Sequence, residues 1–243
     1  MSGHSKWAQI KRQKGTSDVK RGQVFTKLAN AITIAVRQSG AVADPDQNPR
    51  LRLFIEKAKA ENMPKEKIAR AIERGIGKGD NDNELQEVSY EAFGPGKVSF
   101  IIDVATDNKQ RSISAIRNIL NKGGGTLANS GSVSYQFEIK GAITVNKNKQ
   151  TTDEIFLLAA DAGAEDIADI NETEVIIYTK PEELTKVKDT LSGLDIEAAE
   201  IIKKPITTVN VEDESSYAKI LALIDEFESL DDVQKVYTNL SRI

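Results

Sequence analysis

The chain has 243 residues, no cysteine, one histidine and a formal net charge of −4. Without cysteine there is no disulfide framework, no thiolate nucleophile and no cysteine ligand for zinc or an iron–sulfur cluster. Because His4 is the only imidazole, a site with several histidines is excluded, and a Ser-His-Asp triad would depend on that one residue. The length predicts two or three domains, and a hydrophobic fraction of 39% is typical of a soluble globular protein.

No segment of the sequence has the length and hydrophobicity of a membrane span. The longest apolar runs, residues 155–160 and 220–224, are far shorter than the roughly 18 residues that a spanning helix needs. No continuous apolar stretch of roughly 7 to 15 residues follows the basic N-terminus, which argues against a secretory signal. The sequence therefore predicts a cytoplasmic protein that does not engage a membrane.

The net charge conceals two regions of opposite sign. Residues 1–79 contain 17 basic and 7 acidic side chains, whereas residues 80–243 contain 16 basic and 30 acidic side chains. This asymmetry predicts a basic domain that binds a polyanion. The alternative is a scaffold in which the acidic remainder attracts the basic part, within one chain or between chains.

The apolar spacing of the first 79 residues predicts a small bundle of three helices. The first helix is capped by Asp18 and stopped by Gly40, and the second begins after Asn48. The third runs from Pro64 to Gly75. A stretch rich in glycine, asparagine and aspartate follows, where the charge changes sign, and we predict a domain boundary at residue 79.

Beyond this boundary, short strands alternate with helices. A hairpin is predicted from strands at 88–93 and 98–104, joined by a Gly-Pro-Gly turn. A helix at 109–122 and a strand at 133–139 follow. After Pro205 the pattern predicts a strand at 206–211, a helix at 215–227 and a strand at 233–238, which can complete the sheet begun by residues 84–139.

The intervening segment has the element order β-α-β-β-α-β, which is that of a ferredoxin-like module. Its predicted elements are 142–145, 153–162, 166–170, 174–179, 181–191 and 196–202. The predicted fold is therefore multidomain, α and α+β. It comprises a basic helical bundle at 1–79, a discontinuous α+β domain at 80–139 and 205–243, and a ferredoxin-like α+β domain at 140–204 inserted in the second.

The basic side chains of the first 27 residues are the main candidate for a functional surface. Lysines that share a helical face can follow a phosphate backbone largely independently of base sequence. Trp7 offers a ring for stacking on an unpaired base, although packing against the bundle is the preferred interpretation. The candidates in this segment are Lys6, Trp7, Lys11, Arg12, Lys14, Lys20, Arg21 and Lys27.

Other candidate sites have simpler interpretations. His4 has no partner nearby in sequence and is expected to make a terminal hydrogen bond. Asp103 and Asp107 border a strand end, where paired carboxylates could bind magnesium in an enzyme, but strand termination and helix capping by Asp107 are preferred. Tyr178 is the only aromatic residue on the ferredoxin-like strands, so base stacking on that sheet is not expected. We predict no catalytic residue, metal site or cofactor.

Several short motifs occur in a characteristic order along the chain. They are Gly3-His-Ser-Lys-Trp7, Lys20-Arg21-Gly22, Phe25-Thr-Lys27-Leu28, Asn48-Pro-Arg-Leu-Arg-Leu53, Asn62-Met-Pro-Lys65, Gly94-Pro-Gly96, Thr106-Asp-Asn108 and Gly131-Ser-Val133. Each motif alone is weak, whereas the set covers nearly the whole chain. Together the motifs resemble the YebC/PmpR family of probable transcriptional regulatory proteins, which is related to mitochondrial translational activators.

The resemblance implies a three-domain fold and a non-enzymatic role in regulating gene expression, through DNA binding by the basic N-terminal domain. It extends the candidate nucleic-acid face to Arg50 and Arg52. It also leaves open a ribosome-associated translation factor that contacts ribosomal RNA with the same face. The expected partner is therefore DNA or ribosomal RNA, and the acidic domains could bind a protein; no small-molecule substrate is indicated.

Overall fold

The chain forms two units, each with its own helices and antiparallel sheet. We describe it in a computed structural model over residues 18–77, 85–148 and 150–241. The first unit consists of Thr16–Ser134 and Asp213–Val236, and the second contains Tyr135–Glu212 and Tyr237–Ile243. The segment Tyr135–Glu212 of the second unit is thus inserted in the sequence of the first. This confirms the predicted multidomain α and α+β fold, while the division into three domains with boundaries at 79, 139 and 204 stays a prediction.

The three predicted N-terminal helices are present. They are α1 (Asp18–Gln38), α2 (Pro49–Ala60) and α3 (Lys65–Gly75). Gly40 adopts a left-handed conformation with φ of 75° just after α1, as a helix stop requires. Helix α2 begins where predicted because the Asn48 side chain accepts the backbone N–H of Leu51 at 3.0 Å.

The role of Gly75 differs from the prediction. It is the last residue of α3 and has no positive φ, and Gly77 takes the left-handed conformation with φ of 82°. A Cβ atom at Gly75 would lie 2.6 Å from Cβ of Val36 in α1. Gly75 is therefore required for the close approach of α3 to α1 rather than for ending the helix. The centre of this bundle's core consists of Leu28, Ile32, Val36, Leu51, Ala58 and Ile68.

Beyond residue 85, strands and helices follow in the order expected for α+β domains. In chain order they are β1 (Gln86–Phe93), β2 (Ser99–Thr106), α4 (Lys109–Gly123), β3 (Thr126–Ala128), β4 (Phe137–Asn146), α5 (Thr152–Asp161), β5 (Asp166–Asp169), β6 (Glu174–Thr179), α6 (Leu184–Thr190), β7 (Asp195–Pro205), β8 (Val209–Asn210), α7 (Glu214–Glu228), β9 (Val233–Thr238) and β10 (Leu240–Ser241).

The first of the two large sheets has the strand order β3-β1-β2-β9. The predicted hairpin is formed by β1 and β2, which are antiparallel with Tyr90 opposite Ile102. Strand β9 joins the edge of β2 and completes the sheet, as predicted. The short strand β3 was not predicted. Helix α4 is capped by Asn108, whose side chain accepts the N–H of Arg111 at 3.0 Å, so the prediction of Asp107 as the cap is wrong by one residue.

The second large sheet is antiparallel with the order β5-β6-β4-β7, which is the ferredoxin-like arrangement predicted from the element order. One prediction is wrong: the separate strands at 133–139 and 142–145 are a single strand, β4, preceded by a 3-10 turn at Ser134–Gln136. Gly141 caused the error because it suggested a break. A Cβ there would lie 2.2 Å from Oγ1 of Thr179, so this glycine marks a close approach within a continuous strand.

The segment after Pro205 is less regular than predicted. Of the strand expected at 206–211, only β8 forms, and it pairs in parallel with β10 in a separate two-stranded sheet. Within the described ranges, every helix is too short or too polar to cross a membrane.

Candidate nucleic-acid interface

The predicted nucleic-acid face is only partly covered by the described residues. Its first five members, Lys6, Trp7, Lys11, Arg12 and Lys14, lie outside them. The backbone of Lys20 lies in α1, together with Arg21 and Lys27, and Arg50 and Arg52 lie in α2.

Lys27 contacts the C-terminal end of α7 in the same unit. Its Nζ donates a hydrogen bond of 2.6 Å to the carbonyl oxygen of Glu228, and Nε2 of Gln23 donates one of 3.0 Å to the carbonyl of Ser229. Carbonyls at the end of a helix carry a partial negative charge that favours a nearby cation. Lys27 thus helps hold α1 against α7, and its contact with nucleic acid stays a prediction.

Arg50 and Arg52 each form an ion pair with a carboxylate of the first unit. Nη2 of Arg50 lies 2.9 Å from Glu87 in β1, and its guanidinium is 5.7 Å from the centre of the Phe54 ring. Nη2 of Arg52 lies 3.1 Å from Asp46. A phosphate that bound either arginine would have to compete with these carboxylates. The role of Arg50 and Arg52 as extensions of the nucleic-acid face remains a prediction.

A basic groove between α1 and α3 was not predicted from the sequence. It is open to solvent, with a volume of about 240 Å³. Its lining combines an apolar floor with three cationic side chains, and consists of Phe25, Thr26, Ala29, Met63, Lys67, Arg70, Ala71 and Arg74.

Arg74 is a fixed positive charge of this groove. Nη2 donates to Oδ1 of Asn30 at 2.7 Å, and Nε donates to Oγ1 of Thr33 at 3.2 Å. Burial, followed by repulsion from Arg37, lowers the pKa of Arg74 from its ordinary value. A guanidinium nevertheless remains protonated at neutral pH, so Arg74 keeps its charge while its side chain is held in place.

The other two cations of the groove are more exposed. Nζ of Lys67 lies 5.1 Å from the centre of the Phe25 ring, a cation–π contact. Arg70 is exposed and forms no hydrogen bond or ion pair with any residue that the structure describes. Positions 67, 70 and 74 are three and four residues apart, so they share one face of α3. That spacing is the sequence signal that could have identified the groove, because the prediction considered only the apolar face of this helix.

The carboxylates considered for a magnesium site have other partners. Asp107 accepts a hydrogen bond of 2.8 Å from Nη2 of Arg111, and Asp103 accepts one from Oγ of Ser89. Arg111 also binds Asp232 at 2.9 Å, and the hydrogen bonds with Asp232 raise its pKa. In the part of the chain that is described, no group of three or more His, Asp or Glu residues could hold a metal ion.

Two family models match adjacent parts of the chain. The model of the TACO1/YebC protein N-terminal domain matches residues 5–78, and the model of the TACO1/YebC second and third domain matches residues 85–240.

Similar proteins match over almost their full length. A relative from Herpetosiphon aurantiacus is 49% identical, over 99% of this chain and 94% of its own length. One from a Sulfurihydrogenibium species is 47% identical, over 98% of this chain and 95% of its own length. Both are named as a probable transcriptional regulatory protein.

A solved structure agrees with the fold. The crystal structure of a conserved hypothetical protein from Aquifex aeolicus superposes with a TM-score of 0.85 at 43% identity, covering 93% of this chain and 92% of that one. The matches span both units and include the N-terminal segment that carries most of the predicted motifs. The chain therefore belongs to the TACO1/YebC family.

Proposed function

We propose that the protein is a non-enzymatic, cytoplasmic regulator of transcription that binds duplex DNA through its basic N-terminal helices. The observation that carries this proposal is the groove of α1 and α3, where Lys67, Arg70 and Arg74 present positive charge on one helix face. The names of the relatives support a role in transcription. The resemblance of the N-terminal motifs supports the same conclusion.

The spacing of the groove's cations suits a phosphate backbone. Along an α-helix, positions 67, 70 and 74 are separated by rises of about 4.5 and 6 Å. Duplex DNA carries one charge per about 1.7 Å of its axis, so several phosphates lie within reach of this face. Such contacts position a protein on DNA without reading its sequence. Lys20, Arg21 and the basic residues before them would extend the same electrostatic contact.

The test measures how the affinity for a DNA duplex depends on salt, using the full chain and fluorescence anisotropy. Each neutralised phosphate contributes about 0.9 to the slope of log affinity against log salt concentration. We expect the Lys67→Gln, Arg70→Gln double variant to bind more weakly and to reduce the slope by about 2. Arg74 is left in place because its hydrogen bonds to Asn30 and Thr33 also support the bundle.

The matched control carries Lys180→Gln and Lys186→Gln, two exposed lysines of the second unit, and changes the net charge equally. Its slope should equal that of the unmodified protein. An equal loss of DNA affinity in both double variants would contradict DNA binding by this face. An unchanged slope in the groove variant would contradict it as well.

A second experiment separates DNA from ribosomal RNA as the target. The endogenous protein is measured in ribosomal fractions and on chromatin, with and without the groove substitutions. We expect chromatin association that the substitutions weaken. Exclusive, nuclease-resistant association with ribosomes would show instead that the protein is a translation factor.

A further inference from the structure

Helix α5 of the second unit exposes three consecutive large apolar side chains. Phe156 is 49% exposed, Leu157 is 64% exposed and Leu158 is 45% exposed. The packing of α5 on its unit is provided by Ile155 and Ala159, which are 0% and 1% exposed. Single exposed apolar residues are common, but a contiguous exposed group marks an interaction surface. The unit's own core therefore does not explain residues 156–158.

The helical geometry places a leucine at the centre of this surface. At about 100° per residue, Leu157 lies about 200° around the helix from the buried Ile155 and thus faces outward. Phe156 and Ala160 lie beside Leu157 on one flank. Asp153 and Asp161 lie one turn before and one turn after it. The outward face therefore presents an apolar centre between two carboxylates.

The charge of α5 is entirely negative, because the helix contains three acidic residues and no basic one. Glu154 is engaged in capping, since its carboxylate accepts the backbone N–H of Thr151 at 2.7 Å. Asp153 and Asp161 are exposed, and neither forms a hydrogen bond or ion pair with a residue that the structure describes. These two carboxylates are therefore accessible to groups on another molecule.

We propose that the outward face of α5 docks on a protein partner, in an apolar groove whose rim carries lysine or arginine side chains. Leu157 and Phe156 enter the groove as the apolar anchors, and Asp153 and Asp161 pair with the basic rim. A second copy that docked through its own α5 would bring the like charges of the two helices together. Nucleic acids and anionic membranes repel the same carboxylates, which leaves a basic protein surface as the complementary occupant.

The first test uses a photo-reactive amino acid in place of Leu157, in the full chain expressed in its own host. The comparison position is Ile206, which is 60% exposed in the same unit and lies outside α5. We expect one protein to cross-link from position 157 and not from 206, through an apolar segment flanked by lysine or arginine. Cross-links to a second copy of the chain, to nucleic acid, or to nothing beyond the Ile206 background would overturn the proposal.

The second test measures the affinity of the purified, identified partner for full-chain variants. Phe156→Ser with Leu157→Ser should weaken binding at least tenfold, because the anchors of an interface contribute most of its affinity. Asp153→Asn with Asp161→Asn should weaken it about three- to tenfold and reduce its dependence on salt.

The matched charge control is Glu182→Gln with Asp189→Asn, two exposed acidic residues elsewhere in the same unit. It should leave the affinity unchanged. All variants change exposed side chains and should keep the thermal unfolding midpoint of the unmodified protein. Equal affinities for the α5 variants and the control would refute the docking surface.

Discussion

At the scale of single residues, the carboxylate of Glu91 in the first unit is held by backbone hydrogen bonds. The residue is 7% exposed, and its carboxylate accepts backbone N–H groups of Gly131 at 2.8 Å, of Ser134 at 3.1 Å and of Val133. Burial alone would raise the pKa of Glu91, but these hydrogen bonds outweigh it and lower the pKa below its ordinary value. Glu91 therefore fixes the turn that follows β3.

The Glu91→Gln variant should make the stability of the protein less dependent on pH. Because the pKa of Glu91 is lowered on folding, its ionised form stabilises the fold above the ordinary glutamate pKa of about 4.3. This contribution is lost as the pH falls through the lower pKa of the folded state. We expect the variant to lose about 1 to 3 kcal/mol at pH 7, measured by urea unfolding.

Between pH 7 and pH 3 the difference in stability between the variant and the unmodified protein should shrink, because below the ordinary glutamate pKa the unfolded chain binds a proton that Glu91 resists in the folded state. Glu73→Gln changes an exposed carboxylate of α3 and serves as the control, with little effect at either pH. If the Glu91→Gln variant loses the same free energy of unfolding at both pH values, the ionised carboxylate is not the group that holds the turn.

At the scale of secondary-structure elements, the crossing of α1 and α3 determines whether the basic groove exists. The helices approach closely because Gly75 has no side chain where it faces Val36 and the Thr33 carbonyl. Oγ1 of Thr33 in turn donates a hydrogen bond of 2.9 Å to the carbonyl of Ala71, across the same contact. A small residue and one buried hydroxyl thus fix the separation of the two groove walls.

Two glycine-to-alanine substitutions should have opposite effects on stability. In Gly75→Ala the new methyl group would lie 2.6 Å from Cβ of Val36, and we expect a loss of about 1 to 3 kcal/mol from overpacking. In Gly22→Ala nothing lies within 4 Å of the new methyl group, so the better helix propensity of alanine should stabilise α1 by about 0.5 to 1 kcal/mol. Urea unfolding measures the free energy of unfolding of both variants. Equal changes in that free energy would contradict a packing role for Gly75.

The order of elements could be predicted better than their exact contacts. Apolar periodicity and helix caps such as Asn48 are local signals, so the three helices and the β-α-β-β-α-β order were predicted correctly. The meaning of Gly75 and Gly141 depends on residues distant in sequence, Val36 and Thr179, and no local pattern reveals it. For the same reason the ion pair between Arg50 and Glu87 could not be anticipated.

At the scale of the whole molecule, the unequal distribution of charge matters more than the net charge of −4. Charges separated by more than about 10 Å in 0.1 M salt are largely screened from each other. Acidic residues that lie farther away than this therefore need not cancel the field of a basic side chain at a bound polyanion, whereas Glu87 pairs directly with Arg50. The sequence predicts a positively charged interface among the N-terminal residues, and the groove residues Lys67, Arg70 and Arg74 were not among those predicted.

Neutralising Lys11, Lys14 and Lys20 together should reduce the slope of log DNA affinity against log salt concentration by about 2 to 3. The reason is that each lysine is expected to neutralise one phosphate of the duplex. Combined with the Lys67→Gln and Arg70→Gln changes, the total reduction should reach about 4 to 5 if the contacts are independent. Anisotropy titrations between low and moderate salt measure the slope. An unchanged slope in the triple variant would mean that these three lysines do not contact the DNA.

The position of β9 at the edge of β2 has a consequence for how the protein is made. The backbone N–H of Ala105 in β2 donates a hydrogen bond of 2.8 Å to the carbonyl of Asp232, yet the two residues are 127 positions apart in sequence. At about 5 to 20 residues per second, a ribosome needs roughly 6 to 25 seconds to synthesise that interval. During this time the hydrophobic strand β2 has a free edge, which is a site for incorrect pairing between nascent chains. Chains that end before Val233 would retain that edge permanently, so aggregation is the expected fate of prematurely terminated products.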